Sequence, residues 1–149
     1  MARKVFFSFH YERDIWRTNV VRNSGVVEGS SAAGFYDASL WEEAKKKGDE
    51  AVKKMIDKGL IGTSVTVVLI GAQTYKRKFV EYEINQSIAR GNGLLGINIS
   101  GIKDQKGDTD FQGPAPTALI RADAPCYYWD RDKFGDWVEK VYKKAHPDN

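Results

Sequence analysis

Residues 64–100 constrain the fold more than any other stretch. The run Ser-Val-Thr-Val-Val-Leu-Ile over 64–70 is almost wholly apolar or β-branched and closes at Gly71. That is the pattern of a strand buried on both faces, as in a parallel sheet. Residues 72–93 then take helical spacing, with Phe79, Val80, Glu83, Ile84, Ser87 and Ile88 near one side. Gly91-Asn92-Gly93 is a glycine-rich stop. Residues 94–100 return as a second short apolar strand. The three pieces make a βαβ unit, which requires a right-handed crossover. Ligands of such sheets bind beyond the carboxyl ends of the strands. In this unit that edge is residues 71–78, the turn feeding the helix that carries Glu81 and Glu83.

The rest of the chain fits around that unit. Residues 4–9 read as the first strand, with Val5, Phe6, Phe7 and Phe9 as β-formers. Ser8 and His10 are polar at its carboxyl end, where α/β ligands bind. Residues 11–23 read as a helix with Ile15, Trp16, Asn19, Val20 and Asn23 on one side and Arg13, Arg17 and Arg22 off it. Residues 26–37 are Gly/Ser-rich and read mainly as loop, with room for a short edge strand. The aromatic pair before Asp37 either anchors that loop or forms part of a binding rim. Residues 39–60 read as the longest helix, with Ser39 and Glu42 at capping-box spacing, weakened or bent at Gly48. Residues 101–123 lack periodicity, and a loop of that length is usually functional or mobile. Residues 126–129 form a last strand. Asp130 or Asp132 caps a final helix that packs Phe134, Trp137, Val138, Val141 and Tyr142 inward. Strands near residues 5, 66, 96 and 127 alternating with helices predict one flavodoxin-like α/β domain over 1–149, with four or five mainly parallel strands.

Several function classes are excluded. Formal charge is +3, with lysines spread over several helices, so the balance does not argue for nucleic acid. No apolar run approaches the roughly 20 residues of a membrane span. A strand begins after only a few residues, so no signal peptide is expected. Cys126 is the single cysteine, which rules out an internal disulfide and predicts a reducing cytoplasm. Two histidines, His10 and His146, do not suggest a zinc site. There is no G-x-G-x-x-G, no P-loop and no G-x-S-x-G elbow. A phosphoacceptor receiver would need an acidic cluster where Ser8-Phe9-His10 stands.

What remains is Glu83, on the apolar side of its helix with Phe79, Val80 and Ile84. An ionised carboxylate there is costly unless paired or hydrogen-bonded. Either it forms a buried salt bridge, for instance to an arginine of the first helix, or it sits in a cleft where it binds a hydroxylated ligand or stabilises an oxocarbenium-like transition state. Glu81, about 200° away around the helix, is expected to face solvent.

Phe6-Phe7-Ser8-Phe9 resembles the first-strand motif (V/I)-F-(I/V)-S-(Y/F) of Toll/interleukin-1 receptor (TIR) domains. Thr74 and Phe79-Val80-Glu81-Tyr82-Glu83-Ile84 are similar to the TIR pattern S-x-x-W-C-x-x-E-L, with Phe79 at the Trp and Glu83 at the Glu. The segments at 5–14, 34–39, 66–71 and 93–97 together resemble the bacterial TIR-like family that includes the TIR component of Thoeris anti-phage defence. The resemblance covers about residues 4–145.

That resemblance implies cleavage of the nicotinamide–ribose bond of NAD, with NAD as substrate and no further cofactor. In Thoeris members the ADP-ribose product is cyclised into a signal that activates a partner effector. It implies Glu83 as the catalytic residue. By position it also implies a pocket lined by Ser8, Phe9, His10, Tyr11, Asp37, Trp41 and Thr74. Phe79 departs from the usual Trp, which keeps an aromatic and loses an indole N–H. The acidic, proline-rich loop that many receptor TIRs use for assembly is not evident between Asn23 and Asp37, which leaves homo-oligomerisation open. The rival reading is a non-enzymatic TIR-like interaction module, with Glu83 closed off by a basic partner. A third is a nucleotide-binding regulatory domain of flavodoxin type.

Overall fold

The computed structural model describes residues 2–32 and 39–148. Its centre is β3 (Val65–Ile70), in which all six residues are buried. β1 (Lys4–Ser8) lies on one side of it and β4 (Gly93–Asn98) on the other. The short strands β2 (Glu28–Ser30) and β5 (Cys126–Tyr128) form the edges. Among the described residues the sheet has five strands, all parallel, in the order β2-β1-β3-β4-β5. This is the flavodoxin-like order expected from the alternation of elements. The chain winds to one side from β1 to β2 and to the other from β3 onward. The topological switch point therefore falls between β1 and β3, and the crevice outside their carboxyl ends is where this fold takes ligands.

Six helices cover the sheet among the described residues: α1 (Ile15–Arg22), α2 (Ser39–Lys47), α3 (Asp49–Leu60), α4 (Lys78–Ala89), α5 (Thr117–Arg121) and α6 (Arg131–Ala145). None is long and apolar enough to cross a membrane. The helix expected over 39–60 is two helices. Gly48 has φ of 112°, outside the range an L side chain readily adopts, so the chain turns there instead of bending. α4 ends as its glycines predict. Gly91 is left-handed, its N–H and that of Asn92 bond back to the Ile88 and Ser87 carbonyls, and the helix closes in a Schellman motif. Asp130 caps α6 by accepting the Asp132 N–H.

α1 departs from the expectation in two ways. It starts at Ile15, because 11–14 form a turn in which the His10 carbonyl takes the Arg13 and Asp14 N–H groups. Its buried side is Arg17, Thr18 and Val21, while Trp16 and Val20 face solvent. Arg17 tolerates burial because Nε donates to the Ile102 carbonyl (2.7 Å) and Nη2 to that of Asp108 (2.9 Å). Those carbonyls belong to the aperiodic segment after β4. Arg13 adds a forked ion pair to Asp110 (2.6 and 3.0 Å). The segment expected to be functional or mobile is thus fastened at its N-terminal half, and α5 lies inside its C-terminal part. Glu81 is also corrected. It is half-buried, and its carboxylate accepts the Ala118 N–H at the start of α5 (2.9 and 3.2 Å).

Candidate active site

Glu83 is carried to the switch point by the first two turns of α4, on the face that also buries Phe79, Val80, Ile84 and Ser87. Its side of the helix rests on the sheet, where β1 ends in Ser8. The Ser8 hydroxyl donates to Glu83 Oε1 at 2.7 Å, and both side chains are buried. Among the described residues no lysine or arginine pairs with Glu83, and Arg13 and Arg17 are committed to the segment after β4. Burial pushes the Glu83 carboxyl up to about 8, with the Ser8 hydrogen bond pulling only weakly the other way. The buried salt bridge weighed from the sequence is therefore not the arrangement found. Burial therefore favours the neutral carboxyl at pH 7, and a rise in pH or a nearby positive charge favours the ionised one.

An aromatic layer lies beside this pair. Phe9 stacks on Tyr11 (centroids 5.3 Å apart), Tyr11 on Trp41 of α2 (5.4 Å), and Trp41 meets Phe79 edge-on (5.7 Å). Phe79 precedes Glu83 by one turn on the same helix face, so the four rings extend from the end of β1 to the catalytic candidate. His10, which follows Phe9, is buried, its Nδ1 without a hydrogen-bond partner among the described residues. Burial, and then Arg77, depress its pKa, so it is neutral. Thr74 sits at the same edge but has both hydroxyl functions occupied. Its oxygen accepts the Gly71 N–H (2.8 Å) and its proton goes to the Leu69 carbonyl (3.3 Å), which shapes the turn between β3 and α4. Asp37 lies outside the described residues.

Glu83 is only 4 % exposed. Two crevices among the described residues lie elsewhere. One of about 570 Å³ runs between α4, α5 and α6, floored by Leu94 and Val141, and one of about 740 Å³ lies over α2 and α3. Neither is lined by Ser8, His10 or Glu83.

The model of the TIR-like domain of the Thoeris protein ThsB matches residues 6–104, a span holding β1 through β4 and both Ser8 and Glu83. The chain belongs to this family. A curated relative from Bacillus cereus (strain MSX-D12), named as a candidate cyclic ADP-D-ribose synthase, ThsB1, is 54% identical over 118 residues. The match covers 78% of this chain and 62% of that protein, so this chain spans less than two thirds of its relative's length.

Within this ThsB-type TIR-like domain, two clusters escaped the sequence reading. Glu12, after β1, accepts from the Trp41 indole N–H (3.1 Å), Lys45 Nζ (2.8 Å) and an Arg77 nitrogen (3.3 Å), all on one oxygen. Those contacts, Lys45 first, hold its carboxyl below the usual range. Asp14 is buried against Gly71 with one oxygen unpartnered, and desolvation lifts it to about 6 despite Arg13 beside it. The signal available in advance was slight: Glu12 and Asp14 sit in a charged Glu-Arg-Asp string, and Arg77 in a Lys-Arg-Lys string, both of which read as solvated surface.

Proposed function

We propose that this chain is an NAD-cleaving enzyme of ADP-ribosyl cyclase type, with Glu83 as its catalytic carboxylate and no cofactor beyond NAD as substrate. The observation that carries the reading is the Glu83–Ser8 pair: a carboxyl buried at the switch point and held, among the described residues, by one hydroxyl and no cation. A buried carboxyl without a cation is a poor way to stabilise a fold. It is a good way to receive a cationic ligand. The nicotinamide ring of NAD is positively charged, and its arrival beside Glu83 favours the ionised carboxylate. When the C–N bond breaks, its electron pair leaves with nicotinamide, and the positive charge passes to the ribose. A carboxylate in a desolvated site stabilises that charge more strongly than one in water. Attack on the ribose carbon by a nucleophile of the same ADP-ribose, with loss of a proton, closes a ring; attack by water gives linear ADP-ribose.

Phe9, Tyr11 and Trp41 supply flat apolar surface for the departing ring, and neutral His10 a polar atom at the same edge. Thr74 shapes the turn that aims α4. Asp37 is proposed on the family resemblance alone. The name of the B. cereus relative supports a cyclic ADP-ribose product. The proposed setting is the bacterial cytoplasm in anti-phage defence, where the nucleotide signals to an effector protein, with assembly of several copies as the trigger. Incubation of purified protein with NAD, followed by chromatography and mass spectrometry, tests this. Nicotinamide should appear together with a product of the mass of cyclic ADP-ribose. The near-closure of Glu83 favours a second reading, a TIR-like interaction module without activity. That reading expects no nicotinamide even at high protein concentration or in lysate from infected cells.

A further inference from the structure

Glu12 occupies an unusual place. A single carboxylate oxygen receives three donors from two other elements: Trp41 and Lys45 of α2, and Arg77 at the start of α4. Donors from separate elements that converge on one oxygen are the arrangement by which proteins bind phosphate oxygens. Glu12 belongs to the turn after β1, so the cluster stands at the same sheet edge as Ser8 and Glu83. It is joined to Glu83 through the aromatic layer: Trp41 touches Phe79, one turn before Glu83. Two further polar features at this spot lack partners. His10 Nδ1, two residues before Glu12, is buried and unbonded. The first N–H groups of the 12-residue α4 are capped by no side chain. With the uncapped N–H groups of α4, the cluster has more donor capacity than one glutamate uses.

We propose that Trp41, Lys45 and Arg77 form a phosphate subsite that Glu12 fills from within, and that the diphosphate of a dinucleotide displaces Glu12 as it binds. This rests on the NAD-cleaving reading and adds its regulation. Glu12 is an internal anion competing with the ligand's, and its contacts pin α2, the turn after β1 and the start of α4 together beside the Trp41–Phe79 contact that leads to Glu83. Exchange of Glu12 for a diphosphate keeps the three donors satisfied while releasing the turn that holds His10 and Tyr11. The near-complete burial of Glu83 is then the self-occupied state.

The test is binding of ADP-ribose and of inorganic pyrophosphate, by titration calorimetry, to the full chain and to Glu12→Ala, Glu12→Gln and Lys45→Met. Removing an internal competitor of this kind should tighten both probes severalfold, since each of its partly exposed ion pairs is worth up to about 1 kcal/mol, roughly a factor of five. Glu12→Gln, which keeps the shape and loses the charge, should do the same if the alanine variant does not fold. Lys45→Met should weaken both probes in the wild-type and Glu12→Ala backgrounds alike. Unchanged or weaker binding in both Glu12 variants, with melting intact, overturns the proposal. The two readings fail separately. Pyrophosphate binding that responds to Glu12 and Lys45 without NAD cleavage leaves the subsite standing and removes the enzyme. NAD cleavage with probe binding indifferent to these residues does the reverse.

Discussion

Replacing Glu83 by glutamine should flatten the pH dependence of stability, and the size of the effect follows from burial. The folded carboxyl holds its proton up to about 8, against the ordinary 4.5 of the unfolded chain. Between those values the folded state binds more protons than the unfolded one, so stability falls as pH rises. It is full below the unfolded value and lost by the time pH passes the folded one. Each pH step in that window costs about 1.4 kcal/mol, so the whole gap is about 5 kcal/mol, and about 4 of it falls between pH 5 and 8.5. Glutamine keeps an acceptor for the Ser8 hydroxyl, resembles the protonated carboxyl in shape, and does not titrate. Asp14 and His10 also shift, but they are present in both proteins and cancel in the difference. Urea unfolding of wild type and Glu83→Gln at pH 5, 7 and 8.5 measures it. The variant should gain on wild type by about 4 kcal/mol across that range. Curves that stay parallel to within about 1 kcal/mol would refute the claim that Glu83 is buried without a counter-charge.

Three further outcomes follow from neighbouring contacts. Ser8→Ala removes the hydrogen bond that Ser8 donates to the Glu83 carboxyl and should cost about 1–2 kcal/mol in thermal melts, while moving any pH–activity profile upward because the carboxyl loses the contact that favours its charge. Gly71→Ala drives a methyl group into the Asp14 carboxylate and should cost about 1–3 kcal/mol, with part of the loss recovered when Asp14→Ala is added. Arg17→Ala removes the donors to the Ile102 and Asp108 carbonyls, so amides at 102–110 should lose protection in hydrogen exchange while those of β3 keep theirs.

What the sequence disclosed was whatever expresses itself as local periodicity. The buried run of β3, the face of α4 and the glycine stop after it are short-range patterns, and they placed Glu83 at the right sheet edge before any coordinates. Ile88 alone of the predicted α4 face is exposed, since the helix has passed the sheet by then. The α1 face was misjudged because the partners of Arg17 are main-chain carbonyls of an irregular segment, which leave no mark on side-chain pattern. Glu81 was misplaced for the same reason: its partner is a backbone N–H of α5, a five-residue helix too short to show a period. The motif resemblance supplied the role proposed for Glu83, and the tertiary fold supplied Ser8 as its donor. Glu12 became visible only when α2 and the start of α4 were brought onto the turn after β1.

The central claim is that Glu83 works on NAD, and the direct measurement is nicotinamide release by wild type and Glu83→Gln under matched conditions, including high protein concentration and lysate from infected cells. The account predicts release by wild type, none above background by the variant, and a variant at least as stable at pH 7. Equal release by both proteins contradicts it, as does no release by wild type in any condition.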